Sequence, residues 1–95
     1  MSRASDCDLN WEIARLLGLE SWRDDEVVTV DGERFDPVHD NRQCDPLTDR
    51  FDIDLSWSEG VWCAQTQTPS GRPVTIDDRL ATRAVVRAIL AAHGT

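Results

Sequence analysis

The chain has 95 residues, carries 18 acidic against 10 basic side chains, and has a formal net charge of −8. That length holds one domain, residues 1–95, with a modest core. The charge argues against direct binding to nucleic acid or to an anionic membrane, because both repel such a chain.

The first residues, MSRASDCDLN, lack the apolar run of a secretory leader. No stretch nears the ~20 apolar residues of a membrane span. Both point to a soluble protein of the cytoplasm. Asp6 or Asp8 is placed to cap a helix over Asp8–Leu17, with Leu9, Ile13, Leu16 and Leu17 on its buried face. Gly18 supplies the left-handed residue that ends it. The next stretch, ESWRDDE, reads as a charged connection, with Trp22 a lid over the core edge. In EVVTVDGERF, Asp31-Gly32 signals a two-residue hairpin turn, with Val28, Val30 and Phe35 meeting across it.

Two Asp-Pro steps, Asp36-Pro37 and Asp45-Pro46, mark DPVHDNRQCDPLTD as an ordered loop, since a residue before proline avoids helical angles. A strand follows over Phe51–Ser58. Phe51, Ile53, Leu55 and Trp57 alternate with Asp52, Asp54, Ser56 and Ser58, so one face belongs to the core and the other to solvent. Glu59-Gly60 turns the chain. A two-residue loop sets Ser58 opposite Val61, Trp57 opposite Trp62, Leu55 opposite Ala64 and Ile53 opposite Thr66. Val74 and Ile76 suggest a short strand end. Thr75 and Asp78 match a capping box before a last helix over Asp77–Ala92. Its buried stripe is Leu80, Ala81, Ala84, Val85, Ala88, Ile89 and Ala92. The class is α+β: a small antiparallel sheet of two hairpins with the N-terminal and C-terminal helices packed on it.

Motifs for chemistry are sparse. Cys7, Cys44 and Cys63 are odd in number and widely spaced, which disfavours a disulfide framework. With His39 and His93 they show no ligand spacing, so no metal and no cofactor is expected. His39 near Cys44 offers a thiolate base, but a loop histidine beside a buried structural cysteine is the simpler reading. His93 reads as a frayed helix end. Asp52 and Asp54 sit about 7 Å apart on one strand face. Paired carboxylates can cleave glycosides, but so small a sheet leaves little room for a sugar, and a solvated acidic face is the simpler account. Trp57 and Trp62 read as a core pair. Trp22 is the least explained tryptophan, and an exposed tryptophan suits an interface or a stacked base. Arg79, Arg83 and Arg87 repeat every four residues. They either bond neighbouring acids or hold an anionic ligand such as a nucleotide phosphate.

In order along the chain come a helix ending ARLLGL, the loop RFDPVHDNRQCDPL, the strand pair FDIDLSWSEGVWCAQT and the helix RLATRAVVRAILAAHG. This arrangement resembles the phage NinX-like proteins with their ABA-sandwich domain. Phe35, Pro37, Asp45, Trp62, Ala64, Leu80, Arg83 and Ala84 are the nearest counterparts of that family's motifs. The Asp45-Pro46 step is shorter than the family's, and Asp78-Arg79 replaces the proline before the helix leucine. The resemblance implies a phage or prophage accessory protein with helices on both sides of the sheet. The polar second face of the strand pair argues instead for both helices on one side.

Acidity and resemblance together lead to a non-enzymatic inhibitor of a host protein with a basic surface, in the manner of an anti-CRISPR acting on a nucleic-acid-handling defence complex. Asp45, Asp49, Asp52, Asp54, Glu59 and Trp22 are the expected contact residues. The alternative is a binding protein that sequesters a nucleotide signal through Arg79, Arg83 and Arg87. The oligomeric state stays open, a homodimer included.

Overall fold

The computed structural model describes residues 6–24 and 27–94. Its elements are α1 (Asp6–Leu16), β1 (Ser21–Asp24), β2 (Val27–Val30), β3 (Glu33–Arg34), α2 (Asn41–Arg50), β4 (Asp54–Ser58), β5 (Val61–Gln67), β6 (Pro73–Asp78) and α3 (Ala81–His93). The α+β class is as expected, and both terminal helices pack on strands. The strands, however, form two antiparallel sheets of three, ordered β1-β2-β3 and β4-β5-β6.

In α1, Asp6 and Asp8 occupy the first turn and Arg15 the last, each favourable to the helix dipole. Gly18, at φ 71°, ends it. The Leu19 amide donates to the Ala14 carbonyl and the Gly18 amide to that of Arg15, a Schellman pattern. The Asp31-Gly32 turn forms with both residues at positive φ, and the Phe35 amide donates to Val28 as the hairpin closes. Most of the expected charged connection is strand: Trp22 and Arg23 belong to β1, paired with Thr29 and Val28, while residues 25 and 26 lie outside those described. Trp22 is 77% exposed and covers nothing. Arg23 points the other way, to Asp8 of α1 at 2.6 Å.

The second correction is α2. Asp40 caps it through the Arg42 amide, and Cys44 and Leu47 bury its inner face. Pro46 sits inside the helix, where it lacks the N–H that would reach the Arg42 carbonyl. Cap and burial outweigh that loss, so the segment expected as a loop is helical. Its approach is pinned from two sides. Asn10, 5% exposed, donates to Asp36 at 2.7 Å and accepts from the Val38 amide. The Thr82 hydroxyl donates to the Val38 carbonyl.

The register of β4 on β5 is as expected, from Leu55 opposite Ala64 to Ser58 opposite Val61. The strand begins later, at Asp54. Phe51 caps α2 and Asp52 takes φ 51°, so Ile53 is buried at a helix-to-strand junction rather than paired with Thr66. The Thr66 hydroxyl donates to the Phe51 carbonyl instead. Thr75 and Asp78 lie in β6, not in a capping box, and the N-cap of α3 is Leu80, which makes no side-chain cap bond. Leu80 therefore leaves the buried stripe and is exposed, while Thr82 and Val86 join it. The stripe is wide because α3 packs on β5, β6, α1 and α2 at once. Ile13, Val38, Val85, Val86 and Ile89 form the innermost core. Among the described residues no helix is long and apolar enough to cross a membrane.

Candidate functional site

Among the described acids, Asp6, Asp8, Asp36, Asp40 and Asp78 each have a basic partner. Asp78, 7% exposed at its side chain, meets Arg83 at 3.0 Å and Arg87 at 2.9 Å. Arg83 also reaches Asp6 at 3.3 Å. The ring nitrogens of His39 lie 2.9 Å from Asp6 and 3.1 Å from Asp36. Burial works against an ionised Asp78, but the Leu80 amide, Arg87 and Arg83 outweigh it and hold its carboxyl below the ordinary value. The Arg83 guanidinium is raised in turn, chiefly by its bond to Asp78.

Asp45, Asp49, Asp52 and Asp54 are among the described acids with no ion pair, and all four are exposed. Their order follows from the fold. Asp45 and Asp49 are one turn apart on the outer side of α2, opposite Cys44 and Leu47. The Asp52 amide donates to the Asp49 carbonyl just past the helix end. Asp54 opens β4 two residues later. The four carboxylates make a ridge that descends α2 onto the edge of the second sheet. Asp49 stands in the last turn of α2, where the helix dipole disfavours an anion. Asp52, at φ 51°, is the left-handed residue that ends α2, with its amide on the Asp49 carbonyl and the Ile53 amide on that of Thr48.

The ridge borders a groove of about 650 Å³ at the end of the second sheet. Asp52 and Asp54 form one wall, residues 65–68 of β5 and its turn and residues 73–75 of β6 the other, with Arg50, Phe51 and His93 completing it. The Phe51 and His93 rings meet at 5.0 Å, tilted by 48°, and the Arg50 guanidinium lies 5.6 Å from the Phe51 centroid. His93 is thus a half-buried ring of α3, not a frayed end.

The remaining predicted residues are dispersed. Glu59 sits in the β4–β5 turn at φ 51°, five residues or roughly 17 Å along the strand from Asp54. Trp22 is on the first sheet. Asp52 and Asp54 do not share a strand face as expected, because Asp52 precedes the strand; the groove brings them together by another route. Arg79 lies in the bend before α3, and Arg83 and Arg87 spend their guanidinium bonds on Asp78, Asp6 and the Asp77 carbonyl. No local signal marks Arg50, Phe51 and His93 as groove residues. Phe51 fits the strand alternation, and its contact with His93 spans 42 positions.

Cys44 and Cys63 show no activation. Burial pushes Cys44 up to about 11. Cys63 is also raised, by desolvation and by Asp77 across the sheet. Among the described residues no cluster of three or more histidines, cysteines or carboxylates could hold a metal ion. The chain gives no significant match to protein-family profiles, to curated proteins or to solved structures.

Proposed function

We propose that the protein is a small non-catalytic binder whose acidic ridge occupies a basic surface of a host protein. The natural target is a defence complex whose basic channel otherwise holds nucleic acid, and the origin is a phage or prophage. The observation that carries this reading is the run of exposed acids Asp45, Asp49, Asp52 and Asp54 along α2 and into β4, none of them in an ion pair. A second observation supports it: Asp49 opposes its helix dipole. In this reading an arginine or lysine of the partner enters the groove between Asp52 and Asp54, and the rest of the ridge lies along the mouth of the channel.

The alternative, a nucleotide held by Arg79, Arg83 and Arg87, is the less favoured reading. Arg83 and Arg87 already hold carboxylates, and Trp22 belongs to the other sheet.

The test is competition. Purified RNA-guided effector complexes are loaded with labelled DNA, and the protein is titrated in. Displacement of DNA from at least one complex is expected, weakening as salt rises. Changing Asp45, Asp49, Asp52 and Asp54 together to Asn should weaken it at least tenfold with the fold intact. Displacement untouched by those four changes would remove the ridge from the interface. No displacement from any complex would send the search to other basic host proteins.

A further inference from the structure

We infer that the protein forms a two-fold homodimer by pairing β4 with β4 of a second copy, making one six-stranded sheet. This stands apart from the acidic-ridge reading and does not depend on it.

β4 is an edge strand. It carries exposed apolar groups: Leu55 is 37% and Trp57 56% exposed. The register explains why. Both side chains lie on the face of the sheet that α3 covers, since they pair with Trp62 and Ala64. But α3 lies over β5 and β6, and the apolar strip on β4 runs out beyond the helix. Trp57 stacks on Trp62 at 5.0 Å with its other side in solvent.

The edge is also unguarded. Natural edges carry proline, bulges or inward charges that prevent pairing. β6, the opposite edge, has Pro73, Asp77 and Asp78. β4 has only Asp54, at its start.

The backbone selects the occupant. Glu59-Gly60 is a two-residue turn with both residues at positive φ, so Ser58 and Val61 form a hydrogen-bonded pair. Bonded and non-bonded pairs then alternate. The amides and carbonyls of Ser58, Ser56 and Asp54 face β5, and those of Leu55 and Trp57 face outward. A second β4, antiparallel and centred on Ser56, sets Leu55 opposite Trp57 of the other copy, and Trp57 opposite its Leu55. Every outward group is then bonded, four hydrogen bonds in all. The two Leu-Trp pairs fall on the apolar face, in a trough between the two α3 helices. Asp54 meets Ser58, not another carboxylate. The strand is therefore self-complementary in pairing, apolarity and charge, as an isologous interface requires. The guarded β6 edges stop growth at the dimer.

Two chains of net charge −8 repel each other at long range. Dimerisation should therefore strengthen with salt, the reverse of what the ridge requires of its partner.

Sedimentation velocity across a concentration series, at 50 and 500 mM sodium chloride, tests this. A reversible monomer–dimer equilibrium is expected, several-fold tighter at the higher salt. Leu55→Lys should weaken it at least tenfold with an unchanged far-ultraviolet circular dichroism spectrum. That change lowers the net negative charge, so a weaker dimer would report on the edge itself. Register is tested by crosslinking in a Cys63→Ser background, which removes the neighbour of Ser56 on β5. Ser56→Cys lies on the two-fold axis and should oxidise to a covalent dimer. Ser58→Cys, roughly 14 Å from its counterpart, should not. A chain that stays monomeric at high salt and high concentration overturns the proposal. So does a dimer indifferent to Leu55→Lys, or one that crosslinks equally through both positions.

Discussion

Trp57 and Ile89 separate two kinds of apolar residue. Ile89 is fully buried beneath α1 and the second sheet, while more than half of Trp57 faces solvent. Ile89→Ala should cost about 2–5 kcal/mol, transfer and cavity together. Trp57→Ala gives up one aromatic pair and part of its burial, about 1 kcal/mol. Denaturant midpoints at low protein concentration, where the chain is monomeric, should rank the two in that order. Asp78 is the charged counterpart of Ile89. Asp78→Ala removes the partner of two guanidiniums, each a third or more exposed, so water recovers part of the loss and about 1–3 kcal/mol remains. Its folded carboxyl titrates below the ordinary value. The ionised form thus favours the fold. That contribution is complete above the ordinary carboxylate range near pH 4 and is lost as pH falls through the lower folded value. Thermal midpoints from pH 6 to pH 2 should fall more steeply for the native chain than for Asp78→Asn.

Among the elements, α2 is held by a cap and a buried face against its own proline. Asp40→Ala should cost about 1 kcal/mol, while Pro46→Ala should restore a hydrogen bond and stabilise by about 1–3 kcal/mol. Urea unfolding of both variants would show shifts of opposite sign. The same helix shows where sequence reading ends. Gly18, Asp31-Gly32 and Glu59-Gly60 were legible because turn chemistry acts over a few residues. The last of these fixed the β4–β5 register outright. The helical content of residues 41–50 was not legible, because the rule for residues before proline is local and the burial of Cys44 and Leu47 is not. The alternation from Phe51 to Trp57 is real but crosses a helix end, a left-handed residue and a strand. β1 was hidden because its pairing satisfies backbone groups while Trp22 and Asp24 stay in water. Of the site, the acids were readable by type. Their assembly into a ridge needed α2, and the groove needed α3.

At the scale of the whole molecule, charge is unevenly spent. The ridge acids repel one another and Asp49 opposes its helix dipole, worth about 0.3–1 kcal/mol at low salt. Asp49→Asn should therefore raise the thermal midpoint in dilute buffer, and the gain should shrink as salt is added. A residue that weakens the fold and strengthens when neutralised is the pattern expected where a partner supplies the missing cation. Scanning calorimetry at two ionic strengths, on the free protein, checks the stability half of that statement without any knowledge of the target.

The packing of α1 against α3, tied by the Arg83–Asp6 bond, has a consequence for synthesis on the ribosome. α1 finds its main partner only when α3 emerges. Leu9 and Ile13 share one core with Val85, Val86 and Ile89 of α3, so much of the hydrophobic burial comes late in translation. Such long-range closure slows folding and leaves nascent chains open to chaperones and proteases. A ribosome stalled before α3 should display a chain that protease digests throughout, with no protected N-terminal fragment. One stalled after α3 has cleared the exit tunnel should display a chain that resists as a unit.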